Sequence, residues 1–344
     1  MKIFSLIFIL STLHLCAQDE DEIIHAKTQG YNPEYRLNYF NKMIFQIDLN
    51  SDIDIYNIPK LNYTDNIESA FIPNNIIKTK FSFDYKFLGL FISVSPDFLS
   101  GNNVDSPYGK TKILDLSFKF FYTDRLRQEV VFKSIKGFYL DDPEKEDPIE
   151  VFNDMEINTI GGKTFYIINR NFSYRAFESL TERQIKSDGS FIPSIAYYQN
   201  RLNVNKVNNS ETYLSSIKSL DVFVQLGYMH NFVIYKKWFS TLGAHPGVGF
   251  NNSIDSFVNP ADNSNIQNKT ANINFVLESN FAVGYNNKNF FTGIRTNYRN
   301  LDFDSRTEIA STKLSFGVFA GYRFDENKTV KKGFEYIEKH LGIK

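Results

Sequence analysis

The sequence predicts an all-β chain: an antiparallel transmembrane β-barrel of about 12 strands with a short C-terminal helix. Three observations predict this fold. Phe, Tyr and Trp make up 16% of the 344 residues, and aromatic residues favour strands over helices. Apolar and polar residues alternate along many segments, which is the pattern of strands with one apolar and one polar face. Short and long connections also alternate, as in outer-membrane barrels with short periplasmic turns and longer external loops.

The rest of the composition narrows the class of protein. The chain has 34 Phe and 20 Tyr, too many aromatic residues for a disordered chain. Its formal net charge is −1, so no general basic field attracts nucleic acid and no nucleic-acid partner is expected. Cys16 is the one cysteine of the sequence, which excludes a disulfide scaffold and a cysteine-ligated metal site. No cofactor is expected.

Residues 1–17 are predicted to be a cleaved signal peptide. A charged start precedes the apolar run Ile3–Leu10, and Ala17 supplies a small residue at the cleavage position. The alternative is a lipoprotein signal with Cys16 as the lipidated residue, although the residue before that cysteine is not small. Residues 18–42 are then predicted to form a periplasmic N-terminal segment.

Residues 43–324 are predicted to form the barrel. In Lys80–Phe87 the odd positions are all Phe or Tyr, whereas the even positions are Lys, Ser and Asp. Most such segments reach the roughly 9–11 residues that cross a bilayer at a tilt, so a soluble periplasmic β-sandwich is the weaker alternative. The predicted strands lie near residues 43–56, 76–87, 88–99, 111–122, 126–139, 163–178, 190–202, 218–232, 236–252, 269–285, 289–302 and 309–324.

Aromatic residues recur on the apolar face beside the short turns. Tyr and Trp rings concentrate at the membrane–water interface of membrane proteins, so these positions predict one interfacial girdle and outer-membrane lipid as a partner. The residues are Tyr85, Phe87, Tyr122, Tyr228, Trp238, Tyr285, Phe290, Tyr322 and Phe324.

Residues 325–344 follow the last predicted strand. Val330, Phe334, Ile337 and Leu341 recur at helical spacing. This spacing predicts a short amphipathic helix on the periplasmic side, with three open roles: to plug the barrel mouth, to pack beneath it or to bind a partner.

The polar faces of the predicted strands carry charges that barrel closure would bring into one lumen. Two interpretations stay open: a lumen packed with ion pairs, because buried charges need partners, or a charged constriction that selects solutes. The first strand also mimics the start of an EF-hand loop, but Ile53 stands where that loop needs Gly, so no metal site is expected. The charged residues are Asp48, Asp52, Asp54, Lys80, Glu278, Arg295, Arg299 and Lys313.

One periplasmic connection is predicted to be longer than the others. Segment 163–178 is predicted to be a strand in which Phe172 and Tyr174 face lipid and Arg175 faces the lumen. The turn that follows is either simply solvated or a docking site for a periplasmic or envelope protein, because function concentrates in loops. The candidate docking residues are Arg175, Glu182, Arg183, Gln184 and Lys186.

Four sequence blocks carry a resemblance to a known family. They are Phe172–Phe191 (FSYRAFESLTERQIKSDGSF), Gly109-Lys110-Thr111, Lys136-Gly137-Phe138-Tyr139 and the closing Gly321-Tyr322-Arg323-Phe324. With these blocks the chain resembles the Bacteroidota domain-of-unknown-function family 4421 along most of its mature length. The resemblance implies an outer-membrane barrel of unassigned function and supplies no catalytic residues.

Two classes of function remain open from the sequence. The first is a barrel without a catalytic site that acts as a narrow channel or as a structural or assembly component of the envelope. The second is an outer-membrane hydrolase that acts on lipid or peptide at the external mouth, with lumen-facing His245 and the carboxylates Asp52 and Asp54 as its candidate groups. The same-face neighbours of His245 are Gly243 and Gly247 rather than Ser, so the first class is expected and no enzyme activity is predicted.

Overall fold

The computed structural model describes residues 32–58, 69–74, 77–97, 99, 107–141, 150–204, 212–302 and 310–341. The predicted signal peptide with Cys16, and most of the predicted N-terminal segment, lie outside the described residues. The strands are β1 (Arg36–Asn38), β2 (Lys42–Ile58), β3 (Ser69–Ile72), β4 (Lys78–Tyr85), β5 (Leu88–Val94), β6 (Lys112–Phe121), β7 (Leu126–Asp141), β8 (Glu150–Tyr166), β9 (Glu182–Gln184), β10 (Asp188–Asn203), β11 (Tyr213–Ile234), β12 (Trp238–Val258), β13 (Asn265–Asn286), β14 (Phe290–Asp302) and β15 (Ala310–Asp325), and the helix is α1 (Lys328–Leu341).

Twelve of these strands close into one antiparallel barrel. Their order is β2-β4-β5-β6-β7-β8-β10-β11-β12-β13-β14-β15, and β15 pairs with β2 from Ala310↔Asn57 to Asp325↔Lys42. Strands β4, β5 and β6 are short, and above them β3 joins the far ends of β2 and β7. The closed ladder leaves no open sheet edge in the wall, which is the condition for strands to span a membrane. The predicted barrel and its strand number are confirmed.

The wall shows the two-faced pattern that the alternation predicted. On β11, the side chain of Val224 points outward and is 57% exposed, whereas that of the preceding residue, Phe223, points inward and is 3% exposed. Aliphatic and aromatic side chains are exposed in this way around the outer surface, and a surface of this kind suits lipid rather than water. The chain is therefore an outer-membrane β-barrel.

The predicted aromatic girdle is present, with one difference. Tyr122, Tyr228 and Trp238 are exposed beside the short turns, at the end that is periplasmic in outer-membrane barrels. Tyr85 and Phe87 are instead buried, because Phe334 of α1 lies over both rings. Helix α1 therefore packs against the outer wall and not across the mouth of the barrel.

The prediction of a strand over 163–178 is wrong. Strand β8 begins at Glu150 and ends at Tyr166, and the chain then turns into the barrel. In the half of β8 away from the short turns, Phe152, Met155 and Ile157 are buried inside the barrel, whereas Asn153 and Asp154 are exposed. Gly161 and Gly162 suggest a loop in the sequence, but a side chain at either one would collide with the carbonyl oxygen of a neighbouring strand, so glycine is required there within the strand.

Among the described residues, no helix combines the length and the hydropathy needed to cross a membrane.

Candidate functional site

The inside of the barrel is divided into three layers, which we name the external cluster, the central chamber and the plug. The external cluster consists of apolar side chains that fill the lumen near the long loops. The central chamber lies below it and is lined mainly by charged and polar groups. The plug consists of residues 32–41 and 167–187, which lie inside the end of the barrel that carries the short turns.

The external cluster fills part of the lumen at the end away from the short turns. It combines β3 with the upper ends of six wall strands, and the rings of Phe71 and Phe152 contact edge to face with centroids 5.1 Å apart. Close-packed apolar side chains exclude water, since interiors of this kind have few voids as large as a water molecule. The buried members are Phe71, Ile113, Ile135, Phe138, Phe152, Met155, Ile157, Leu202, Val204, Leu214, Ile217 and Phe257.

The central chamber has a volume of about 340 Å³. Its lining brings cations such as Arg299 and Lys133 together with carboxylates such as Asp115 and Glu278, and with the ring of Tyr198. The guanidinium of Arg299 lies 5.7 Å from the centroid of that ring. The volume corresponds to on the order of ten water molecules.

The predicted acids of the first barrel strand lie at the centre of an ion-pair network. Lys78 Nζ lies 2.8 Å from Asp52 Oδ2 and 3.2 Å from Asp54 Oδ2. Lys313, from the closing strand β15, lies 3.3 Å from Asp52 Oδ2, and Lys133 lies 3.4 Å from Asp54 Oδ2. Each carboxylate is thus shared by at least two lysines, which compensates for the removal of these charges from water.

The other predicted lumen charges have partners as well. Asp48 lies 3.8 Å from Arg295 and 3.9 Å from Lys80. Glu278 binds Lys163 at 2.5 Å and faces Arg299 across the β13–β14 ladder. The structure therefore places all eight predicted charges in the lumen, in three groups: one around Asp52 and Asp54, one around Asp48 and one around Glu278. Lys133 and Lys163 were not among the predicted residues, although both lie on polar faces of their strands.

The predicted docking turn lies inside the plug rather than in solvent. Strands β1 and β9 pair inside the mouth, with Arg36 opposite Gln184 and Asn38 opposite Glu182. Of the candidate docking residues, Lys186 alone is exposed, and the other four are buried: Arg175, Glu182, Arg183 and Gln184. Phe172 and Tyr174, predicted to face lipid, are packed inside the barrel. The solvated turn of the sequence prediction is therefore an internal segment.

Arg323 of β15 ties the plug to the wall. Its Nε and Nη2 donate to the carbonyl oxygen of Leu180 at 3.0 and 2.6 Å, and Nη1 donates to the carbonyl oxygen of Asn287 at 2.6 Å. Its guanidinium also lies 4.0 Å from the centroid of the Tyr39 ring. One buried cation thus holds both chain segments of the plug and the β13–β14 turn.

Other wall strands hold the plug through charge as well. Arg295 of β14 donates to the carbonyl oxygen of Phe177 at 2.7 Å. Glu178 pairs with Arg127 of β7 and, at 3.1 Å, with Lys119 of β6. The plug is therefore anchored around much of the barrel circumference, and the carbonyl oxygens that its irregular backbone leaves unpaired receive charged donors.

Arg36 secures the N-terminal half of the plug. It lies 3.3 Å from Asp124 in the β6–β7 turn and 3.5 Å from Glu182 of β9, and its Nη1 donates to the carbonyl oxygen of Phe172 at 3.3 Å. Arg175 reaches from the plug to the carbonyl oxygen of Lys86, at 2.7 Å. Paired acids and bases therefore cross between the two plug segments and the wall.

His245 lies in the lumen, as the alternation predicted, but its surroundings are not those of a catalytic triad. It is buried and stands opposite Glu278 in the β12–β13 ladder. Within the described part of the chain, no serine hydroxyl forms a hydrogen bond with its ring. The described residues also contain no group of three or more His, Cys, Asp or Glu that could hold a metal ion.

Comparison with known proteins identifies a family and a set of distant barrels. Residues 33–324 match the family described as "Domain of unknown function (DUF4421)", and no curated protein matches the sequence. Similar solved structures include the outer membrane protease OmpT of Escherichia coli (8% identity, TM-score 0.41, covering 84% of this chain and 98% of that one). Others are a bacterial polysaccharide outer membrane secretin (13%, 0.36, 83% and 99%) and the toluene transporter TodX of Pseudomonas putida (10%, 0.33, 83% and 90%). At such identities and TM-scores, these likenesses carry no argument about activity.

Proposed function

The chain belongs to the family DUF4421, which assigns it no activity, and from its own geometry we propose that it is a non-conducting, non-catalytic barrel that serves as a structural or assembly component of the outer membrane. The observation that carries the proposal is that packed side chains occupy the lumen at two levels. The external cluster occupies it at one end, and the plug occupies it at the periplasmic end.

The way in which the plug is held supports a permanent seal. A gate that opens readily is drawn from the weakly held parts of a structure. Here the plug buries Phe172, Phe177 and Leu180 in an apolar cluster with wall residues, and Arg323 and Arg295 bind its carbonyl oxygens. Removing these groups from their partners would leave buried polar atoms unpaired, which costs about 1–3 kcal/mol for each.

The lumen charges support the same conclusion. A selectivity filter binds ions weakly enough to release them, and it therefore keeps charges available to the solute. Asp52 and Asp54 instead share the same lysines at 2.8–4.0 Å. Of the two interpretations of the lumen charges, the packed ion-pair network therefore fits better than a constriction that selects solutes.

Conductance measurement is the direct test. The full mature chain is reconstituted into planar bilayers, and its insertion is verified by faster gel migration of unboiled protein. We expect no steady current from the wild-type protein. A steady, voltage-independent conductance of the wild-type protein would overturn the proposal, since it requires an open path through both seals.

The assembly role needs a positive readout. Tyr235, in the β11–β12 turn, is 90% exposed at the periplasmic end, so a photo-crosslinking amino acid at this position would report an envelope protein that docks there. The matched control is Tyr108, an exposed tyrosine beside the external loops. We expect a discrete crosslinked product from position 235 in native membranes. Absence of any product from periplasmic positions, together with a silent barrel, would count against an assembly component.

The hydrolase alternative has its own test. We expect His245→Ala, and the paired changes Asp52→Ala and Asp54→Ala, to leave lipase and peptidase activities of native membranes unchanged. A hydrolytic activity that purifies with the barrel and is lost in the His245→Ala variant, while the barrel stays folded, would favour the hydrolase instead. The Asp52 and Asp54 changes also remove partners of buried lysines, so loss of activity there is interpretable only if gel migration shows a folded barrel.

A further inference from the structure

Helix α1 is fastened to the outside of the barrel. The Phe334 ring lies 4.7 Å from that of Tyr85 and 5.6 Å from that of Phe87, centroid to centroid. The Tyr85 hydroxyl donates to Glu326 Oε2 at 2.6 Å, and Lys86 Nζ binds Glu338 at 3.0 Å. Both aromatic and polar contacts therefore hold α1 at the level of the girdle.

The wall beside α1 is a continuous aromatic surface. Phe45 contacts Phe83 at 5.0 Å and Phe324 at 5.7 Å, and Tyr322 contacts Phe324 at 4.8 Å, between ring centroids. Phe45 and Phe324 are 49% and 46% exposed. Such rings lie at the boundary between acyl chains and headgroups. Helix α1 therefore extends an aromatic surface of the kind that is found at the headgroup boundary.

The two exposed faces of α1 differ in chemistry. Ile337, three positions after the docked Phe334, is exposed and apolar. Lys328, Lys332 and Lys339 share another face of the helix, since they are spaced by four and seven residues. None of the three lies within salt-bridge distance of a carboxylate in the described part of the chain, and Glu335 is the one acid on their face. The free face of α1 is thus apolar on one side and net basic on the other.

From this geometry we propose that α1 is an interfacial helix that binds the anionic headgroups of phospholipids in the periplasmic leaflet. Continuity with the girdle places Ile337 against acyl chains, and charge complementarity directs the lysine face to phosphate. Lysines near an anionic surface each favour binding by about fivefold, so the three together favour the membrane-bound helix by on the order of 100-fold. The barrel thereby selects the lipid that surrounds its periplasmic rim.

The test uses a fluorescent reporter in the full mature chain. Trp238 is the one native tryptophan, so Ile337→Trp in a Trp238→Phe background places a single indole on the lipid side of α1. The protein is reconstituted into vesicles of pure phosphatidylcholine, or of phosphatidylcholine with phosphatidylglycerol, that contain lipids brominated near the headgroup. We expect blue-shifted emission and strong bromine quenching in the anionic vesicles, and weaker quenching in the neutral ones.

Charge variants decide between lipid and protein as the occupant. The triple change Lys328→Gln, Lys332→Gln and Lys339→Gln is expected to reduce quenching in anionic vesicles to the level seen in neutral ones. The matched control, Lys218→Gln with Lys269→Gln at the external end, is expected to change nothing. Equal quenching in both kinds of vesicle, or quenching that the triple change leaves intact, would overturn the proposal and leave the lysine face open to a protein partner. Unchanged heat-modifiable migration verifies that each variant is folded.

Discussion

Replacing Arg323 is expected to release the plug without unfolding the barrel. Arg323→Met keeps a long apolar side chain but removes the guanidinium that donates two hydrogen bonds to the Leu180 carbonyl oxygen and lies 4.0 Å from the Tyr39 ring centroid. Hydrogen bonds from a charged donor contribute about 1.5 kcal/mol or more each, and a cation–π contact contributes at least about 1 kcal/mol. The plug therefore loses about 4 kcal/mol of binding to the wall.

The assay measures how often the plug opens. Cys16 is the one cysteine of the sequence, so Ser179→Cys in a Cys16→Ser background gives a single thiol, placed at a buried position of the plug. When opening and closing are fast, the rate of labelling by a water-soluble maleimide follows the open population. A loss of about 4 kcal/mol raises that population about 10³-fold.

The control is a variant that loses a cation which does not bind the plug carbonyl oxygens. Arg125→Met removes a positive charge from the same end of the barrel, where the guanidinium lies over the Tyr166 ring, and we expect its labelling rate to match that of the parent. Gel migration of unboiled protein shows whether the barrel is intact. If Arg323→Met labels within about threefold of the parent, the guanidinium does not hold the plug, and the reasoning about the periplasmic seal is refuted.

Three further predictions concern the lumen and α1. Asp54→Asn leaves its lysines without their shared carboxylate and is expected to cost about 3–5 kcal/mol, seen as a lower temperature at which the folded gel band disappears; an unchanged temperature contradicts this. Phe334→Ala removes the ring that covers Tyr85. Trypsin is then expected to cleave α1 about tenfold faster or more, because the lost contact contributes about 1.5 kcal/mol or more to docking. Burial tends to raise the pKa of Glu326, but hydrogen bonds from Lys331 and Tyr85 lower it, and the net result is a lowered pKa. The ionised Glu326 therefore stabilises docked α1 fully at pH values above the ordinary glutamate pKa. This stabilisation is lost as the pH falls through the lowered pKa of the docked state. The anisotropy of a dye on α1 is expected to fall over that acidic range, and Glu326→Gln to remove the dependence.

The alternation of residues was sufficient to predict the barrel, its strand number and its membrane. A strand with one apolar face is stable only if that face meets lipid or a core, and strands as long as Lys313–Phe324 suit a bilayer. The same alternation assigned Asp52 and Lys313 to the inner face, and ring closure then placed them together. Their contact at 3.3 Å follows from two facts that the sequence contains, the polar face and the antiparallel closure of the last strand on the first.

The plug shows where this reasoning failed. The block that contains Phe172 and Tyr174 continues the alternation of β8, so it was predicted to be a strand with those rings in lipid. The run Asn169-Arg170-Asn171 is a turn signal that outweighs the alternation, and the chain bends inward there. Buried apolar rings satisfy the same pattern whether they face lipid or a core, and period two cannot distinguish between these environments.

The sequence alone was therefore enough to establish a two-faced wall, its approximate length and the inward direction of its charges, because these properties are local and repeat along each strand. What fills the lumen depended on tertiary structure. The plug is held by contacts between residues far apart in the chain, such as Arg323 of the last strand, Leu180 of the plug and Tyr39 near the first strand. Such contacts have no periodicity of their own, since they depend on how a folded segment fits a space that exists only after the barrel has closed.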